Sequence, residues 1–96
     1  MQPRVVIYRT PFCPYCGMAA RLLSQLGLQF EEVDVSGDAE RRRWLLTVSG
    51  QRTVPQVFIN GHSVGGFDDL SALVRRGGLP AFLARPPAAE PSAPGP

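Results

Sequence analysis

Cysteine is nearly absent from this chain: among 96 residues there are two. That excludes the multi-bridge framework of small secreted domains, so the fold must rest on a packed core. A hydrophobic content of 44% is enough for one core in one domain. Histidine is scarcer still, with His62 alone. Net charge is also low, and +2 is too small to argue for a nucleic-acid partner. No stretch reaches the roughly 18 consecutive apolar residues of a membrane-spanning helix. Met1-Gln2-Pro3-Arg4 opens without the apolar run and small-residue cleavage site of a secretory signal. The expectation is a cytoplasmic protein with no membrane partner, in a reducing compartment where disulfides are catalytic rather than structural.

The two cysteines sit together as Cys13-Pro14-Tyr15-Cys16, where the apolar run Val5-Val6-Ile7-Tyr8 gives way to helical periodicity. Cys13 is thereby expected at a helix N-terminus, where unpaired N–H groups and the positive end of the dipole favour a thiolate. Cys16, about one turn on, faces the same side at disulfide-forming distance. A structural bridge this short closes almost no loop and would stabilise little. A structural zinc needs four ligands, and beyond the pair only His62 is available without recruiting carboxylates. A reversible redox pair near a β-α-β pattern is the favoured reading.

The pattern reads β-α-β-α-β-β-α. Ala19, Leu22, Leu23 and Leu26 mark the buried face of a helix from about Pro14 to Leu26, stopped by Gly27. A second strand is expected over Gln29 to Val35, and a second helix capped by Asp38 runs to Val48 before Gly50. Gln56 to Ile59 and His62 to Val64 flank Asn60-Gly61, which suits a type I′ hairpin turn. A third helix follows Gly65-Gly66-Phe67, with an Asp68 or Asp69 cap and Leu70, Leu73 and Val74 inward. A helical crossover makes two strands parallel while the hairpin is antiparallel, so the sheet is mixed. From Arg85 the composition turns to Pro, Ala, Ser and Gly, so the domain is expected over 1–85 and a disordered tail over 86–96, with a PPII-type ligand as the alternative for the tail.

Cys13-Pro14-Tyr15-Cys16, Thr53-Val54-Pro55-Gln56-Val57-Phe58-Ile59 and Gly65-Gly66-Phe67-Asp68-Asp69-Leu70, in that order and spacing, resemble the dithiol glutaredoxin family, most like its small bacterial glutaredoxin 3 type. The resemblance covers roughly residues 4–83. It implies an α/β thioredoxin fold, a mixed four-stranded sheet with helices on both faces, and a cis peptide before Pro55 that leaves the backbone of Val54 free to pair with a bound thiol peptide. It also implies glutathione as co-substrate. Tyr15 and Cys13 would flank its sulfur, and Thr53, Val54 and Pro55 would hold its backbone. Gly66, Phe67 and Asp68 would offer an anion site for the γ-glutamyl carboxylate, with Asp68 or Asp69 taking the ammonium.

One position departs from the family. Thr10 stands where many members carry a lysine three residues before the first cysteine; Arg9, Arg41, Arg42 and Gln51 are the candidates to take over its role. His62 is expected to be exposed and inert, and Trp44 and Phe58 to be core.

The resemblance therefore implies a glutathione-dependent thiol–disulfide oxidoreductase, monomeric and without metal, acting on glutathionylated or disulfide-containing proteins. Cys13 would be the nucleophile and Cys16 the resolving thiol. Glutaredoxin potentials of about −200 to −230 mV make reduction by glutathione reasonable. Two alternatives stand beside it: a [2Fe–2S] carrier built as a glutathione-bridged dimer, which Pro14 speaks against, and a hydrogen donor to ribonucleotide reductase fed by thioredoxin reductase.

Overall fold

The computed structural model describes residues 3–88. Four strands, β1 (Val5–Arg9), β2 (Glu31–Asp34), β3 (Gln56–Ile59) and β4 (His62–Gly65), form one sheet in the order β2-β1-β3-β4. The apolar runs Val5-Val6-Ile7 and Val57-Phe58-Ile59 have no polar alternation, and they occupy the two central strands, buried on both faces. β2 runs parallel to β1, with Val6 opposite Glu31, and is connected to it through helix α1 (Pro14–Gln25). β3 is antiparallel to both β1 and β4. Asn60 and Gly61 join β3 to β4 with φ of 52° and 80°, as a type I′ turn requires.

Alternation along the central strands divides the core into two layers. Val5, Ile7, Val57 and Ile59 pack with Ala19 and Leu23 of α1, Leu70 and Leu73 of α3 (Phe67–Arg75), and Leu79. On the opposite face Val6, Tyr8 and Phe58 meet Trp44 and Leu45 of α2 (Ala39–Ser49). Tyr8 stands edge-on to both Trp44 and Phe58, with centroids 5.4 and 5.6 Å apart, so an aromatic triad fills that layer. Each of these large side chains contributes about 1.5–3 kcal/mol by leaving water. Helices therefore cover both faces, in the mixed thioredoxin-type arrangement. Among the described residues no helix is long and apolar enough to cross a membrane.

Local differences from the sequence-based expectation have physical causes. β2 starts at Glu31 rather than Gln29, because this edge strand pairs with β1 only from Val6 onward. Val74 is half-buried, at the margin of the α3 face rather than inside it. A short fourth helix, α4 (Leu79–Leu83), follows Gly78 with Pro80 in its first turn, a placement proline tolerates. At five residues it lacks the length for periodicity to reveal it. The segment after it stays docked as far as Ala88: Ala88 N–H donates to Asn60 O at 2.8 Å, and Pro86 O lies 2.9 Å from His62 Nε2. His62 is thus half-buried and engaged, against the expectation of an inert exposed ring. The remainder of the expected tail, residues 89–96, lies outside the described residues.

Candidate active site

The connection from β1 to α1 brings Cys13 to its position. Pro14, whose ring fixes a helical φ and which has no N–H to leave unpaired, begins the helix. Cys13 precedes it as the N-cap with extended backbone (φ −105°, ψ 108°). Its Sγ accepts a hydrogen bond from the Cys16 N–H at 3.2 Å, the part that a serine or aspartate oxygen plays at an ordinary helix start. The sulfur held there faces the unpaired N–H groups and the positive end of the helix. The Val54 carbonyl lies 3.9 Å from Sγ on its other side. The Val54–Pro55 peptide is cis.

Cys16, one turn further, is fully buried. Burial, with the hydrogen bond to Cys13 and the proximity of its charge, pushes the Cys16 thiol up to about 11. The Thr10 backbone N–H and, less, the Arg9 guanidinium pull the other way. Both cysteines are free thiols. One sulfur is therefore accessible at a helix end, and the other is held as a neutral thiol behind it.

Beside Cys13 opens a cleft of about 240 Å³ lined by Tyr15, Gln51, Thr53, Val54, Pro55, Gly66, Phe67, Asp68 and Asp69. The segment before β3 supplies one wall, the start of α3 the other, and Tyr15 leans toward Phe67 with ring centroids 6.3 Å apart. Of the residues singled out from sequence for glutathione, all but Thr10 line it. Thr10 directs its N–H toward the Cys16 sulfur instead.

The two acidic residues are not equivalent. Asp69 Oδ2 accepts from the Gly66 N–H at 2.9 Å, closing the first turn of α3, and also from Gln51 Nε2 at 3.4 Å. Asp68 is exposed and has no hydrogen-bond partner among the described residues. No arginine lines the cleft. Arg9 is drawn to Glu32 at 2.7 Å, and Arg41 lies 3.9 Å from Asp38. Of the candidates to replace the absent lysine, only the neutral Gln51 lines it.

Sequence reasoning passed over Gln56 as a site residue. Its side chain is fully buried, donating to Gln51 Oε1 at 2.8 Å and to the Thr53 carbonyl at 3.0 Å. It thereby fixes two residues of the wall that precedes β3. The available signal was a glutamine set against Val57-Phe58-Ile59 on a strand with no other polar residue.

Residues 5–64 match the glutaredoxin family model. Glutaredoxin 3 of Escherichia coli K12 is 47% identical over 79 residues, covering 82% of this chain and 95% of that protein. The chain belongs to the glutaredoxin family. A glutaredoxin of Pseudomonas aeruginosa is 48% identical over 81 residues, 84% of this chain and 96% of its own. Among solved structures, the solution structure of a Brucella melitensis glutaredoxin superposes with a TM-score of 0.76 at 44% identity, covering 85% of this chain and 89% of that one. The crystal structure of a buckwheat glutaredoxin–glutathione complex gives the same TM-score at 33% identity, covering 82% and 74%. As a glutaredoxin, the chain is a glutathione-dependent thiol–disulfide oxidoreductase of the thioredoxin fold.

Proposed function

We propose that the chain works as a monomer in the reducing cytoplasm, with Cys13 as nucleophile, Cys16 as resolving thiol and glutathione bound in the cleft beside them. The observation that carries this reading is the asymmetry of the thiols: Cys13 Sγ caps a helix at the cleft, while Cys16 is buried and protonated. In the monothiol route the Cys13 thiolate attacks the glutathione sulfur of a protein mixed disulfide. A Cys13–glutathione disulfide forms as the protein thiolate leaves. A second glutathione thiolate then attacks the glutathione sulfur, releasing Cys13 and glutathione disulfide.

In the dithiol route Cys13 attacks a protein disulfide, and Cys16 then attacks the Cys13 sulfur, expelling the protein thiol and leaving a Cys13–Cys16 bond that two glutathione molecules reduce. Burial is the largest influence holding Cys16 protonated, and it persists throughout. The two influences from Cys13 vanish once Cys13 is joined to substrate, while those of Thr10 and Arg9 remain. Cys16 therefore becomes easier to deprotonate when there is something for it to resolve.

Glutathione suits the cleft in three places. The backbone of Val54 offers pairing groups in the manner of an added strand. The N–H groups of Phe67 and Asp68 at the start of α3 accommodate a carboxylate. The exposed Asp68 carboxylate is the partner for the ammonium, because Asp69 is already committed to Gly66 and Gln51.

The test is reduction of a glutathione mixed disulfide by wild type, Cys13→Ser and Cys16→Ser. Cys13→Ser should be inactive on every substrate. Cys16→Ser should keep mixed-disulfide reduction and lose most protein-disulfide reduction. An active Cys13→Ser with a dead Cys16→Ser would reverse the roles.

A further inference from the structure

From Thr10 to Ala20 there is no Asp, Glu, Lys or Arg, and the exposed large hydrophobic side chains of the described residues, Phe12, Tyr15 and Met18, all fall in this stretch around Cys13. Two of the three have an evident setting. Tyr15 lines the cleft beside Phe67, and Met18 lines a groove between α1 and α3. Phe12 lines neither and is fully exposed.

Its backbone is unusual as well. Phe12 takes φ of 59°, the left-handed region that glycine and asparagine adopt readily and a bulky side chain does not. A glycine or asparagine there would satisfy the turn without strain and without an aromatic ring in water. The fold thus gains nothing from phenylalanine at this position on either count. Strained backbone and unburied apolar surface at one residue, next to the nucleophile, are what a contact site for a second molecule looks like.

We infer that Phe12 is a specificity-determining residue, an apolar contact for the polypeptide flanking the glutathionylated cysteine of a protein substrate. This rests on the proposed function and deepens it. If the glutathione half of the mixed disulfide fills the cleft, the protein half must lie elsewhere around the Cys13 sulfur, and Phe12 adjoins Cys13 without lining the cleft. The surrounding stretch has no Asp, Glu, Lys or Arg, so the contact selects for exposed chain near the modified cysteine rather than for charge. A phenylalanine has only two χ angles to fix when it is covered, as befits an aromatic anchor.

The experiment compares two substrates on the full chain, with glutathione as reductant: glutathionylated serum albumin and the mixed disulfide of glutathione with 2-mercaptoethanol. Phe12→Asn removes the ring and keeps a residue suited to the left-handed backbone; Phe12→Trp keeps an aromatic ring. For Phe12→Asn, kcat/KM on the albumin should fall about tenfold, with the small disulfide unchanged and Tm equal or higher. Phe12→Trp should retain the albumin rate. The loss should persist at high salt, since it is an apolar contact. The inference is overturned if Phe12→Asn leaves the albumin rate intact, or if both substrates slow together. A wild-type protein that reduces neither substrate would sink the proposed function instead.

Discussion

A single helical turn separates two sulfurs of opposite character, and their placement explains the difference. Cys13 caps the start of a helix and faces its free N–H groups; Cys16 lies within the helix, fully buried. The buried thiol makes the reduced protein sensitive to alkali. Because the folded Cys16 holds its proton up to about 11 against an ordinary value of 9.0, its contribution is complete below pH 9 and is lost as pH rises through 11. Reduced protein should lose about 2–3 kcal/mol across that window. Protein oxidised to the Cys13–Cys16 disulfide, which has no thiol to ionise, should lack this component. Urea denaturation of both forms at pH 8 and pH 11 checks it, and equal losses would refute the assignment. A second prediction concerns Gln56, whose amide holds Gln51 and the Thr53 carbonyl. Gln56→Leu keeps the volume and removes both bonds. It should raise KM for glutathione substrates severalfold, on the order of the 1 kcal/mol or so that such bonds contribute, while kcat changes little. A fall in kcat at constant KM would place Gln56 nearer the chemistry than the geometry does.

Among the elements, the start of α3 is the most constrained. Gly65 has φ of 114°, and a Cβ there would collide with the Asp69 carboxylate. That carboxylate closes the turn onto Gly66 N–H and reaches Gln51, so strain at Gly65 spreads directly into the cleft. Gly65→Ala should therefore lower stability by about 2–3 kcal/mol and raise KM for glutathione substrates together, as read by thermal denaturation and the mixed-disulfide assay. Full stability with wild-type KM would show that the turn tolerates a side chain. The sequence displayed this region clearly, since Gly65-Gly66 before Asp68-Asp69 can hardly be anything but a tight entry into a helix. The central strands were equally legible, because a run such as Val5-Val6-Ile7 has one role in a small domain. The division of labour between Asp68 and Asp69 was not, as both are carboxylates at a helix start and only coordinates show which one bends back to Gly66. Neither was Phe12, because left-handed backbone at a non-glycine residue leaves no mark on composition or periodicity. α4 escaped for want of length, and the docking of Pro86 to Ala88 escaped because backbone hydrogen bonds are indifferent to the prolines and alanines that make them.

At the scale of the whole molecule, one asparagine ties three parts of the chain together on the side of the sheet where β1 begins. Asn60 donates its N–H to Arg4 O at 2.8 Å and accepts the Arg4 N–H on Oδ1 at 2.9 Å. Its Nδ2 reaches the carbonyls of Leu83 and Arg85, each at 3.2 Å, and its own carbonyl takes the Ala88 N–H. Arg85 also lies over the Phe82 ring, 4.3 Å from its centroid, and Phe82 in turn stands edge-on to His62. The C-terminal segment thus closes the α1–α3 layer of the core from outside, and none of its groups lines the cleft. Stability and catalysis should accordingly separate on truncation. A chain ending at Ala88 should match the full chain in Tm and activity, because the proline-rich remainder offers no large apolar side chain to bury. A chain ending at Ala84 removes the bonds of Arg85, Pro86 and Ala88 to the hairpin, worth about 1 kcal/mol together given their exposure. Its Tm should drop by roughly 4–8 °C while kcat/KM for the small mixed disulfide stays unchanged at 25 °C. Cutting before Leu79 takes a buried core side chain and half-buried Phe82 and Leu83 with it, and should cost far more. Circular dichroism and the mixed-disulfide assay on the three truncations decide the matter: a loss of activity in the chain ending at Ala84 without a loss of stability would mean that residues 85–88 serve the substrate rather than the fold.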